Sequence, residues 1–350
     1  MKKRTLAMLL ALIMLLGCLA GCSVEGEKAP AEKEPAAEEK APAEDKAEEK
    51  AEEKAEEKTD EPILLGFSLF DNTQPWAVAY SKSVFAEAEA RGFEYVYADA
   101  QNDPAKQVTD VEDLIAQNID YLVMTPIEFE AGGACLEVAK AAGVPVVMWG
   151  RSARGEAGVD YETCVTGDFV WEGTAAGEWL VANCDGSAKV VEIAGTVGAD
   201  AATDRQSGFA DAIAAEPGIE IVASQPADFV RADAQKVMEN LIQSLGADGF
   251  DTVYTHSDEM GIGAVLALKA AGLKPGTDVT VISIDGQKEL VQMIADGDVN
   301  CDVTCSPIYT TTPFDALEAI IAGETVDPWI ANPGVVIDAT NVDAELANAY

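Results

Sequence analysis

From Ile63 onward the chain alternates between two textures. Short apolar runs of strand length are followed by longer stretches in which apolar residues return every three or four positions. Residues 63–70, 93–98, 121–125, 145–149 and 164–166 read as strands. Between and after them, 76–91, 105–117, 134–142 and 172–183 read as helices, the third closed by Gly143. In the second helix Val108, Val111, Leu114 and Ile115 share one face. The same rhythm then starts again, with strands at 189–194, 219–223, 252–255 and 279–284 and helices at 202–215, 234–245 and 260–271. Val237, Met238, Leu241, Ile242 and Leu245 stripe the middle helix of this second series. Two successive β-α series predict an α/β protein with two doubly wound, Rossmann-like lobes. Right-handed crossovers place helices on both faces of each sheet. Ligands in such sheets bind at the carboxyl ends of the strands, so two facing lobes would form a cleft.

The first 61 residues do not follow this pattern. Lys2, Lys3 and Arg4 precede an apolar run at 6–16, shorter than the roughly 20 residues a spanning helix needs. The run leads to Leu19-Ala20-Gly21-Cys22, and 1–22 reads as an export signal. The tetrapeptide resembles the lipobox of bacterial lipoproteins, which implies a lipid on Cys22 and an extracytoplasmic protein tethered to a membrane. Ordinary cleavage without a lipid is the alternative. Residues 23–61 are Ala, Glu, Lys and Pro, with three tandem Ala-Glu-Glu-Lys units over 47–58. Such a segment buries too little apolar surface to offset the entropy of ordering, and predicts a disordered acidic tether.

Charge and residue usage narrow the function. The 350 residues carry 62 acids against 23 bases, a formal charge of −39. That surface repels phosphate backbones, which excludes a nucleic-acid partner. His256 is the only histidine, so paired-histidine metal sites are impossible and a histidine-based triad has one candidate. There is no G-x-S-x-G elbow and no P-loop. Gly261-Ile262-Gly263 begins a dinucleotide-like pattern, but Leu266 stands where the third glycine belongs. No enzyme activity, cofactor or metal is expected. Cys135, Cys164, Cys184, Cys301 and Cys305 remain in the body, an odd number without C-x-x-C spacing. They read as free thiols, or as one disulfide with one thiol left over.

Several segments then resemble one family over roughly 62–350. They are Gly66-Phe67-Ser68, Thr125-Pro126, Arg151-Ser152, Ala194-Gly195-Thr196-Val197-Gly198, Asp204-Arg205 with Gly208-Phe209, and Asp228-Phe229-Val230-Arg231. His256-Ser257-Asp258-Glu259-Met260, Ala271-Gly272-Leu273-Lys274-Pro275-Gly276 and Ser283-Ile284-Asp285-Gly286 complete the set. In order and spacing they are similar to the type I sugar-binding proteins of bacterial ABC importers, the ribose, galactose and galactofuranose group, nearest its galactofuranose binders. The resemblance implies two lobes joined by a three-strand hinge: 62–167 plus 307–331 in one, and 168–306 plus 332–350 in the other. It also implies a monomer that closes over a monosaccharide and hands it to a membrane permease with its ATPase. A sensor that presents its sugar or autoinducer to a membrane receptor is the alternative.

Sugars present apolar C–H faces and a hydroxyl rim, suited to rings and to fork-shaped charged groups respectively. Trp76 stands where the family places a stacking ring, and Phe229 would stack opposite. The alternatives are a core tryptophan and a surface packing residue. Arg151 and Arg205 are candidate hydroxyl ligands, Arg151 otherwise being a surface ion pair. Asp285 would accept hydroxyl bonds, or else cap the next helix. Ser257, His256 and Thr125 complete the candidate set, with His256 either at the pocket edge or a satisfied loop histidine. Three positions depart from the family: Ala77 where galactofuranose binders have arginine, Gly150 where the group usually has aspartate, and Ser257 where it has asparagine. Each removes hydrogen-bonding reach. Trp149, beside Gly150, either turns into the space so freed or stays in the core.

Overall fold

The computed structural model describes residues 62–350. The export signal, Cys22 and the acidic tether lie outside the described residues. In chain order the first series runs β1 (Leu64–Leu69), α1 (Pro75–Arg91), β2 (Glu94–Asp99), α2 (Pro104–Ile115), β3 (Tyr121–Met124), α3 (Phe129–Ala142), β4 (Val146–Trp149) and β5 (Thr163–Gly167). The second runs α4 (Phe169–Asn183), β6 (Ala188–Ala194), α5 (Asp200–Ile213), β7 (Ile219–Pro226), α6 (Arg231–Leu245), β8 (Thr252–Thr255), α7 (Asp258–Ala270), β9 (Thr280–Asp285), α8 (Lys288–Asp296) and β10 (Cys301–Thr304). Then follow α9 (Thr311–Ile321), β11 (Trp329–Asn332), β12 (Val336–Asp338) and α10 (Val342–Glu345).

Two six-stranded sheets result, ordered β2-β1-β3-β4-β5-β11 and β7-β6-β8-β9-β10-β12. Each repeats the same doubly wound order, in which the strand sequence reverses beside its first strand. All pairings are parallel except β10 with β12, which is antiparallel with Cys301 opposite Asp338. The chain passes between the sheets three times: from β5 into α4, from β10 towards α9, and from β11 to β12. Helix α9 returns to the first sheet's side, where Arg91 of α1 pairs with Asp315 and Glu318, both at 2.8 Å.

Strands covered on both faces are apolar at every position. In β4, Val147 and Trp149 face one core with Phe67 and Phe314, while Val146 and Met148 face another with Leu114 and Leu136. This is the two-residue period of a strand dividing one sheet between two helical layers. Trp149 stays in the core: its ring meets Phe314 edge-on at 4.9 Å and is fully buried. Helix starts lie earlier than the apolar periodicity indicates. Helix α3 begins at Phe129, and α7 at Asp258. The first turn of α7 carries Asp258 and Glu259, and that of α3 carries Glu130 ahead of Gly132 and Gly133, so in both the apolar stripe begins about a turn late. Pro104 after the Asp103 cap shows the local rule: the Asp103 carboxylate accepts from Ala105 and Lys106 N–H groups.

Candidate functional site

A cavity with about 540 Å³ of empty space, counting solvent at its mouth, lies between the carboxyl ends of the two sheets. Trp76, Arg151, Arg205, Phe229, Ser257 and Asp285 all line it. Five of them stand at strand ends or helix starts and Arg205 in the second turn of α5, and the doubly wound order brings all six to one place.

On the first lobe, Trp76 follows Pro75 in the opening turn of α1. Its indole N–H donates to the Cys305 carbonyl at 2.8 Å, and its ring stacks on Tyr80 with centroids 5.4 Å apart. The ring passes close over Gly150, where an added Cβ would sit 3.3 Å from Trp76 Cη2 and φ is 80°. Gly150 therefore supplies room and a left-handed turn rather than a ligand group. Arg151 is buried, with its guanidinium 4.4 Å from the Phe70 ring centroid and 5.2 Å from that of Phe229. Its only side-chain hydrogen bond among the described residues goes to the Ile127 carbonyl at 3.2 Å. Burial pushes its pKa down to about 10, opposed by nearby Asp200, so the group stays charged at neutral pH with donors to spare.

On the second lobe, Arg205 donates Nε to Glu172 at 2.8 Å and Nη1 to the His256 carbonyl at 2.6 Å, while Nη2 reaches Asp285 only at 3.5 Å. Burial works against its charge, but Glu172 and Asp285 outweigh it and raise the pKa. Asp285 is held with φ at 144°, a region almost reserved for glycine, just before Gly286. Burial, opposed by Arg205 and reinforced by Asp302, raises its carboxyl well above the usual range. Phe229 also has a left-handed backbone, φ 61°, and its ring lies directly on Gly195. The Ser257 hydroxyl is buried with no partner among the described residues.

Two candidates are not brought to the cavity. His256 is fully buried beneath it, with Nδ1 accepting from Gly195 N at 3.3 Å and Nε2 3.1 Å from Glu192 Oε1. Its ring points inward because β8 ends one residue before it and the next side chain, Ser257, takes the outward turn. Thr125 is buried too, its hydroxyl donating to Tyr80 at 3.1 Å and its carbonyl accepting from Gln107 at 2.8 Å. It supports the wall behind Trp76. Phe70, Phe169 and Glu172 were missed. Glu172 is a carboxylate among buried Phe169, Gly173 and Ala176 on α4, and an acid on an apolar face was the available signal.

Cys135, Cys164, Cys184, Cys301 and Cys305 are unpaired. Among the described residues no helix is long and apolar enough to cross a membrane, and no cluster of His, Cys, Asp or Glu is placed to hold a metal ion. The lobes also meet where Phe129 N donates to the Gly198 carbonyl at 2.9 Å.

Paired parallel sheets enclosing a cavity of rings, guanidinium and carboxyl groups define a two-lobed solute-binding protein. The chain belongs to the periplasmic binding protein domain family, which it matches over residues 65–325. It is 38% identical to the galactofuranose-binding protein YtfQ of Escherichia coli over 73% of this chain and 81% of that protein. It is 36% identical to the ribose import binding protein RbsB of Bacillus subtilis over 77% of this chain and 85% of that one. Among solved structures it is similar to the periplasmic binding protein component of the arabinose ABC transporter from Shewanella sp. ANA-3, bound to α- and β-L-arabinofuranose. There the TM-score is 0.78 at 36% identity, covering 82% of this chain and 95% of that one. These relatives are receptors for solutes, not enzymes.

Proposed function

We propose that this chain is an extracytoplasmic lipoprotein, anchored through Cys22, that captures a monosaccharide or small polyol between two closing lobes and delivers it to an ABC import permease and its ATPase. The observation that carries the reading is the meeting of Trp76, Phe229, Arg151, Arg205 and Asp285 around one cavity. Rings offer flat apolar faces to the C–H side of a sugar, and guanidinium and carboxyl groups complement its hydroxyls. The names of the relatives, which bind galactofuranose, ribose and arabinofuranose, support the same class. Ala77, Gly150 and Ser257 leave the site with fewer polar arms than galactofuranose binders have, so the preferred ligand is a related sugar rather than galactofuranose. The protein acts as a monomer, since one chain supplies both walls of the cavity.

Mass spectrometry of the molecule that co-purifies with the protein, followed by isothermal titration against D-ribose, L-arabinose, D-galactose, D-fructose, galactofuranose, xylitol and myo-inositol, tests this. Tight binding of galactofuranose with every other compound silent refutes the specificity reading. Absence of any carbohydrate or polyol ligand refutes the reading as a whole. Replacing Cys22 by Ser should release the protein from the membrane, and deleting 23–61 should leave ligand affinity unchanged.

A further inference from the structure

Tyr350 lies far from every motif in the chain, yet it lines the cavity. It is also the one residue shared with a second, wider cavity, which holds about 1120 Å³ of empty space counting open solvent and is walled by α1 residues Pro75, Val78 and Lys82 together with Gln287 and Ile308. The backbone of Tyr350 is fixed by two hydrogen bonds, from its N–H to the Gly286 carbonyl at 3.3 Å and from Lys288 N–H to its carbonyl at 2.9 Å. These anchor it to the segment that follows Asp285. The phenolic oxygen is enclosed, with no hydrogen-bond partner among the described residues. Burial, with Asp285 and Asp258 adding to it, raises its pKa, so the hydroxyl keeps its proton at neutral pH. Ser257 brings a second enclosed, unpartnered hydroxyl to the same cavity.

A buried hydroxyl without a partner is unfavourable, and native structures rarely keep one without a water, ion or ligand to bond it. We infer that Tyr350 is a further ligand-binding and specificity-determining residue, whose hydroxyl bonds a sugar hydroxyl at the end of the cavity that its ring closes off. This rests on the saccharide reading above. It adds that the ligand carries a hydroxyl reaching past Asp285 towards Tyr350, and that sugars lacking it bind less well.

The test takes the tightest-binding member of the sugar panel above as probe and measures its affinity for the parent and for Tyr350→Phe by isothermal titration. Melting of the ligand-free proteins is measured alongside. The expected result is an affinity loss of about tenfold with the ligand-free melting temperature unchanged or raised. The monodeoxy analogues of the probe then form a double-mutant cycle: one analogue should lose about tenfold on the parent and lose nothing on Tyr350→Phe. Equal affinity of parent and variant overturns the proposal, and so does a loss that no deoxy analogue shares, since that marks a purely structural phenol. A parent that binds no member of the panel refutes the saccharide reading itself, and this inference with it.

Discussion

Asp200 Oδ2 accepts two hydrogen bonds from Ser152, one from the backbone N–H and one from the hydroxyl, each 2.6 Å long. Ser152 follows Arg151 beyond β4 of the first lobe, and Asp200 opens α5 of the second, so the pair joins the lobes. Charge-assisted bonds of this kind contribute about 1.5–3 kcal/mol, and parting the two lobes would break both. If a ligand selects the shut form, as proposed above, anything that weakens that form lowers apparent affinity. Asp200→Ala should weaken ligand binding by about 1.5–3 kcal/mol and enlarge the ligand-free protein in small-angle scattering. Unchanged affinity would show that Ser152 and Asp200 contribute nothing to closure.

Arg205 depends on Glu172 more than on Asp285, since the bond lengths are 2.8 Å and 3.5 Å. Asp285 stands in a recognisable sequence motif as a hydroxyl acceptor, whereas Glu172 stands in none. Removing one member of a buried ion pair leaves the other charge uncompensated, at a cost of about 3–5 kcal/mol. Glu172→Gln should therefore lower folding stability by about that amount, read by urea unfolding. Asp285→Ala should reduce ligand affinity by about 2–4 kcal/mol with a smaller effect on folding. Reversed effects would exchange the roles assigned to the two acids.

Asp258 and Asp302 lie buried next to Asp285 of the cavity wall; Asp302 raises the pKa of both other acids, and Asp285 raises that of Asp258. Burial pushes Asp302 up to about 7. No hydrogen bond of regular geometry reaches its oxygens among the described residues, although Asp258 and the Gly286 backbone lie near enough to lower it somewhat. A carboxyl raised in the folded state holds a proton that the unfolded chain has lost. Its contribution is complete below the ordinary aspartate value and disappears as pH rises through about 7. The parent should lose on the order of 2 kcal/mol between pH 5 and 8 relative to Asp302→Asn. Parallel melting profiles for the two proteins across that range would contradict it.

The single imidazole offers a spectroscopic check. Burial lowers the His256 pKa, opposed by Glu192. Gly195 N–H donates to Nδ1, which leaves the proton on Nε2, facing Glu192. A depressed histidine pKa stabilises the fold above the ordinary histidine value, and that stabilisation is lost as pH falls through the lowered pKa. Nitrogen-15 NMR should show one neutral Nε2–H imidazole at neutral pH, with its titration displaced below the ordinary histidine range. A resonance already titrating above pH 6.5 would contradict the buried assignment.

Much of the architecture was legible because strands and helices leave local periods. The strands from β1 to β9 and the helices from α1 to α7 all fall on runs or stripes visible in the chain. The elements after β9 were not read. Strand β10 is Cys-Asp-Val-Thr with a buried acid at its second position, and β11 has exposed Trp329 at an edge. Neither resembles an apolar central strand. Helix α8 does carry Leu290, Val291 and Ile294 on its buried face, so its stripe was present in the sequence. Trp76, Arg151, Arg205, Phe229, Ser257 and Asp285 were identifiable from motif order, and the structure gathers them around one cavity. Glu172 and Tyr350 stand in no motif, and His256 and Thr125 stand in motifs but point away.

The chain by itself determined two repeated β-α series, the two-sided burial of their strands and the carboxyl ends where a ligand would sit. These follow from backbone periods of two and 3.6 residues, which act over a few positions. Only the tertiary structure decided that the Trp76 indole N–H bonds the Cys305 carbonyl, 229 residues away, that His256 turns inward to Glu192, and that Tyr350 lines the cavity. Whether a side chain enters a cavity depends on the packing around it and on which neighbour takes the opposite direction. Those contacts join residues far apart in sequence, so no local pattern encodes them.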